Sequence, residues 1–127
     1  QVARAVKRNE DIVFLGWAPH PMNKNFDLVY LTGGDAYFGS GSTVYTNVRK
    51  GFTTNCPNVG KLVSNLKFTL PMENEIMGAI LEDGEEPDAA ATAWLKENPE
   101  VLESWLAGVK TIDGKDGLPA VKAHLGL

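Results

Sequence analysis

The spacing of apolar residues changes along the chain, and the change separates an extended part from a helical part. Val2, Ala3 and Val6 sit at helical spacing with basic residues among them, which predicts the last turns of an amphipathic helix over Val2–Asn9. Ile12, Val13, Phe14 and Leu15 then form a continuous apolar run, the pattern of a short strand buried on both faces of a sheet. Phe26–Leu31 is a second β-rich run, broken by Thr32-Gly33-Gly34-Asp35. Tyr37–Ser42 reads as loop, and the β-branched and aromatic residues of Thr43–Val48 predict a third short strand.

From Pro57 onward the pattern is helical. Pro57 suits a first helical position, and Val59, Leu62, Val63 and Leu66 repeat behind it. Pro71 opens a second helix, with Met72, Ile76 and Ile80 on one stripe, Met77 and Leu81 beside it, and Gly84 placed to end it. Pro87 and Asp88 start a third, with Ala89–Lys96 inside. Asn98-Pro99-Glu100 combines a capping side chain, a proline and an acid facing the positive end of the helix dipole, so it predicts a restart. Val101, Leu102, Trp105 and Leu106 form the buried face of that helix, which Gly108 ends. Asp113-Gly114 and Asp116-Gly117 mark turns before a last short helix over Leu118–Leu125.

One segment breaks both periods. Trp17 follows the apolar run at Gly16, and Pro19 and Pro21 bracket His20. The backbone there is stiff and cannot continue as helix or central strand. A large aromatic is thus held at the C-terminal end of a predicted strand, the edge at which open α/β sheets receive ligands. Trp17 is equally well read as ordinary core beneath a helix, and periodicity does not separate the two.

Length and composition narrow the classes. A chain of 127 residues is one domain by default and long enough for a real core. It opens on Gln1, already inside a helix-like pattern, and reads as a piece of a longer protein, so the lack of a leader says nothing of its compartment. Apolar runs are too short to span a bilayer. The net charge is −4 and the basic residues are scattered, which argues against nucleic acid and against a membrane-surface helix. The single Cys56 has no partner within the chain, and is either a buried free thiol or paired with a cysteine outside it.

Reactive chemistry finds little support. His20 and His124 are the only histidines, and His124 belongs to the exposed side of the last helix. One cysteine and two distant histidines give no metal-ligand spacing, and no cofactor is implied. Gly39-Ser40-Gly41-Ser42 lacks both the dinucleotide fingerprint and the Lys-Ser/Thr of a phosphate loop, and reads as a flexible loop. Glu73, Glu75, Glu82, Asp83, Glu85 and Glu86 are a solvated acidic face. Met72, Met77, Trp94 and Trp105 occupy core positions. A small α/β enzyme using His20 as general base is the alternative of a different class.

A set of short motifs carries a resemblance. In order these are Phe14-Leu15-Gly16-Trp17, Pro19-His20-Pro21-Met22-Asn23, Tyr30-Leu31, Gly33-Gly34-Asp35, Val44-Tyr45-Thr46-Asn47, Cys56-Pro57-Asn58-Val59-Gly60, Met72-Glu73-Asn74, Trp94-Leu95-Lys96 and Asn98-Pro99. The ordered set resembles the substrate-binding proteins of quaternary-ammonium ABC importers, the glycine betaine/choline class, and is most similar to its choline-binding members. Trp-x-Pro-His alone is moderately specific; the ordered set is much more so.

The resemblance implies the C-terminal part of a two-lobed α/β periplasmic-binding-protein (type II) fold. Residues 1–25 would be the end of the second lobe with its ligand loop, and 26–127 a hinge strand and the C-terminal part of the first lobe. It further implies non-enzymatic capture of choline in a box of aromatic rings, with glycine betaine or carnitine as alternative ligands. Delivery would be to an ABC permease, in the periplasm or another extracytoplasmic space. Trp17 maps onto the box, and His20 is a second candidate ligand residue. The remaining rings would come from a segment of the same protein upstream of Gln1, as would a disulfide partner for Cys56. The physics of the ligand agrees. A quaternary ammonium has no N–H to donate, so aromatic faces recognise it through their quadrupole, and several rings must converge.

Overall fold

The computed structural model describes residues 1–39 and 41–127. Helices carry the fold among them. They are α1 (Val2–Arg8), α2 (Met22–Asn25), α3 (Asp35–Phe38), α4 (Phe52–Asn55), α5 (Pro57–Asn65), α6 (Leu70–Leu81), α7 (Pro87–Glu97), α8 (Val101–Trp105) and α9 (Gly117–Leu125). The longer ones start where proline chemistry predicts. Pro57 and Pro87 are the first residues of α5 and α7, where a missing N–H costs nothing. Pro71 lies one residue inside α6, whose start Thr69 caps by accepting the Met72 N–H. Helix α1 ends as its basic last turn predicts: Lys7 and Arg8 face the negative end of the dipole, and Asn9 turns the chain at a φ of 56°.

The core lies in the last third of the chain. Leu102, Leu106, Val109 and Leu125 are buried together, with Leu62, Leu95, Leu118 and Val121 packed against them. The buried positions predicted for α8 are therefore the centre of the molecule's apolar contacts. Asparagine side chains stitch the helices around it. Asn58 exchanges two hydrogen bonds with the Lys110 backbone, each 2.7 Å. Asn65 donates to the carbonyls of Trp105 and Ala107 at 3.0 and 2.9 Å. The amide can donate and accept at once, which suits it to bridging the unpaired carbonyls of helix ends.

Several expectations are corrected. The three strands predicted at Ile12–Leu15, Phe26–Leu31 and Thr43–Val48 form no ladder; the sole β-pairing among the described residues is an antiparallel bridge between Lys110 and Asp116. Ile12–Leu15, read as buried on both faces, is exposed, with Val13 at 82%. A strand takes its hydrogen bonds and its covering faces from other segments, and none lies alongside these. Asn98 does not cap α8: its side chain donates to the Trp94 carbonyl at 2.9 Å and closes α7. Asp116-Gly117 opens α9 instead of turning away from it. Tyr37 and Phe38 belong to the single turn α3, and the Gly39–Ser42 loop falls in part outside the described residues because Ser40 does. Trp94 and Trp105 are half-buried rather than core, whereas Met72 is buried and His124 exposed, as expected.

Candidate ligand-binding site

Trp17 sits in a loop held by side-chain hydrogen bonds. After the exposed apolar run, Gly16 allows close passage: a Cβ there would lie 3.2 Å from the Met22 methyl. The Ala18–Pro19 peptide is cis, and Pro21, which precedes α2, is fully buried. The side chain of Asn23 on α2 donates to the carbonyls of Trp17 and His20 at 3.0 and 2.9 Å, closing the loop on itself. The Tyr30 hydroxyl donates to the Asn23 carbonyl oxygen at 2.8 Å and so fixes which way that amide points. From across the molecule, Asn74 on α6 accepts the backbone N–H of His20 at 2.6 Å.

The two predicted ligand residues come together. The rings of Trp17 and His20 meet edge to face, with centroids 5.3 Å apart and planes at 74°. This geometry is favourable for aromatic pairs and limits how far either ring can rotate. Trp17 is 56% exposed in this chain. His20 accepts the Met22 N–H on Nδ1 at 3.1 Å. In the neutral ring the proton is therefore on Nε2, which leaves one donor for another group. Among the described residues, His20 hydrogen-bonds Asn74, Met22 and Asn23. No trio of His, Cys, Asp or Glu side chains able to hold a metal occurs among the described residues.

One concave surface lies away from this loop. A groove of about 530 Å³ runs between α6 and α7, with Glu75, Ile76, Trp94 and Glu97 among its walls and neither Trp17 nor His20. Its one indole N–H is already committed to Glu75 at 2.8 Å.

Periodicity missed Asn74 and Tyr30 as supports of this loop. Asn74 is 54 residues from His20, beyond any local pattern. The available signal was their presence in the ordered motifs, Tyr30-Leu31 and Met72-Glu73-Asn74. Cys56 is half-buried at the α4–α5 junction and carries no disulfide.

Residues 1–97 match the family described as the substrate binding domain of the ABC-type glycine betaine transport system. The glycine betaine/carnitine transport binding protein GbuC of Listeria monocytogenes is 34% identical over 113 residues, which is 89% of this chain and 37% of that protein. Among solved structures, an ABC-transporter choline binding protein in complex with choline is 66% identical with a TM-score of 0.80, over 98% of this chain and 44% of that one. The lactococcal OpuAC in its closed form with glycine betaine is 30% identical with a TM-score of 0.64, over 81% of this chain and 40% of that one. The chain thus spans less than half the length of these relatives, and it superimposes on part of the two-lobed type II periplasmic-binding-protein fold expected from its motifs. It belongs to the family of substrate-binding domains of ABC-type glycine betaine transport systems.

Proposed function

We propose that the protein captures choline, without chemical turnover, for an ABC import permease, and that Trp17 supplies one ring of the aromatic box. The observation carrying this reading is the 66% identity to a choline-bound binding protein, joined to a constrained, half-exposed Trp17 at the matching motif. The division into 1–25, the end of one lobe with its ligand loop, and 26–127, the hinge and part of the other, belongs to the same proposal. So do the extracytoplasmic location, periplasmic or equivalent, and the contribution of further rings by the rest of the protein. A ligand that touches both lobes binds the closed form better and shifts the population toward it, which gives a permease a form to read.

A second ligand reading has its own support, since GbuC is a glycine betaine/carnitine binder and the lactococcal structure holds glycine betaine. The ammonium head is common to all three and the tails differ. A carboxylate tail calls for a cation or several donors. Near Trp17 the chain offers His20, Asn23 and the solvent-exposed Lys24 but no arginine, and Asn23 has already committed its N–H groups. Choline is therefore preferred by about tenfold, which needs only about 1.4 kcal/mol. Competition binding on the full-length protein tests this: glycine betaine displacing choline at equal or lower concentration would reverse the preference and leave the ammonium box standing. No binding of any quaternary ammonium would remove the function. We also propose that Cys56 pairs with a cysteine elsewhere in the protein, an arrangement that adds about 2–4 kcal/mol by restricting the unfolded chain. Non-reducing peptide mapping that finds Cys56 as a free thiol would eliminate the pairing.

A further inference from the structure

We propose that Asn74 is a positioning residue for Trp17: by holding the His20 backbone N–H from helix α6, it sets the direction in which the Trp17 ring projects. The inference rests on the reading of Trp17 as a ligand-contacting ring. Residues 17–23 form one tied unit. Asn23 joins the carbonyls of Trp17 and His20, Tyr30 orients Asn23, and the His20 ring lies edge-on to the indole. Those bonds fix the unit internally and do not tell it where to point. Buried Pro21 holds it against its surroundings, but apolar packing has little directional preference.

The bond from the His20 N–H to Asn74 Oδ1, at 2.6 Å, is the side-chain hydrogen bond among the described residues that ties Trp17–Pro21 to a distant element. It is directional, it acts on the residue whose ring abuts Trp17, and it originates from a helix, the most rigid element nearby. A second bond, from the Asn25 amide on α2 to the Glu82 carboxylate at the end of α6, holds the far side of the unit, so removing the Asn74 bond frees the Trp17–Pro21 end to tilt about α2. The ring then spends less time in the binding orientation, and the protein meets an ordering cost at each binding event that the hydrogen bond had removed.

The test is calorimetric titration of choline into the full-length protein and its variants. Asn74→Ala should weaken binding about tenfold, the size of one lost orienting hydrogen bond. Asn74→Asp keeps an acceptor oxygen at the same place and should stay within about threefold of the parent. In a Trp17→Ala background, Asn74→Ala should add no further loss, because the ring it orients is gone. A melting temperature unchanged by Asn74→Ala separates orientation from unfolding. Should Asn74→Ala fail to fold, Asn74→Gln, which carries the amide one methylene too far, makes the same comparison. The positioning role is overturned if Asn74→Ala binds choline like the parent while Trp17→Ala binds poorly; the ring reading then survives. It is equally overturned if Asn74→Ala costs the same with and without Trp17. If Trp17→Ala itself binds choline normally, the ring reading falls and the positioning role falls with it.

Discussion

Residues 11–48 and residues 57–125 both carry apolar runs, and only the second gathers some of them into a buried cluster among the described residues. In the first stretch Val13, Leu15, Val29 and Leu31 all stand in solvent; in the second, Leu102 is 3% exposed. The difference lies in what each element needs. A helix satisfies its backbone internally and requires only a neighbour for its apolar stripe. A strand needs another segment for its hydrogen bonds and again for both faces. The helical stretch finds its partners within 57–125 and in the adjoining α4, and the extended stretch finds no pairing strand among the described residues. The Trp17 loop sits in the extended stretch, and its His20 N–H is held by Asn74 from the helical one.

The largest expected effect tests whether the helical stretch is the self-sufficient half. Leu102→Ala removes the most buried residue of the main apolar cluster and should cost about 2–5 kcal/mol of stability, read by denaturant unfolding. Val13→Ala, in the exposed run, should cost far less in this 127-residue chain. Equal losses would mean the two stretches are not different in kind.

Trp17→Ala should reverse that order. Its expected cost is in ligand binding by the full-length protein, about 2 kcal/mol or more for a ring of a desolvated cation box, with Trp17→Phe costing less. The fold should persist, since the ring is more than half exposed. A variant that melts, yet binds normally once refolded, would assign Trp17 to the core.

Two glycines sharpen the comparison inside the helical stretch. Replacing a mid-helix glycine with alanine gains about 0.8–1 kcal/mol of helix propensity. At Gly78 on α6 the nearest obstacle is the far end of Glu82 at 3.9 Å, so Gly78→Ala should be stabilising by about that amount. At Gly60 on α5 a Cβ would sit 2.9 Å from the Thr53 Cα, which is backbone and cannot step aside. Overpacking costs about 1–3 kcal/mol, so the net for Gly60→Ala is a loss of about 1 kcal/mol. Thermal melts that move the same way for both would contradict the close packing of α4 on α5.

The same division explains what could be read from the residues alone. Helices α5, α6, α7 and α9 were legible because proline starts and apolar stripes are local signals, and their ends fell within a few residues of expectation. The strands were legible as sequence and not as structure, because Ile12–Leu15 cannot state who pairs with it. Asn98 shows a subtler failure. A capping residue between two helices can serve either, and the carbonyl of Trp94 took its side chain. Trp17 was legible as a special residue because its prolines exclude both regular periods. The bond that anchors its loop was not, since a contact spanning 54 residues leaves no local pattern.

The smallest effect concerns the one place where β-pairing occurs among the described residues, the Lys110–Asp116 bridge. Here the partners are six residues apart, so the pairing is local, unlike that of the predicted strands. The hydrogen bond and charge of Lys110 hold the Asp116 carboxyl below the usual carboxylate range, and the hydrogen bonds from Lys115 and Thr111 do the same for Asp113. A depressed folded-state pKa means that the folded form favours the ionised acid. The contribution is therefore present above the unfolded value, about 3.9 for Asp, and is lost as pH falls through the lower folded value. Both carboxylates are exposed, so salt screens the pairs and melting temperature is too coarse a readout. NMR titration of the carboxyl carbons is the suitable measurement, with midpoints for Asp113 and Asp116 expected below the ordinary aspartate. Lys110→Met should raise the Asp116 midpoint toward that ordinary value and leave Asp113 unmoved, because Asp113 pairs with Lys115 at 2.6 Å. It should also leave the bridge in place, since Asn58 holds Lys110 through its backbone and the Gly117 N–H bonds the Val109 carbonyl at 2.9 Å. If the variant instead unravels the turn and frees the start of α9, the ion pair and not the backbone was holding the bridge, and even this local pairing would depend on a surface charge.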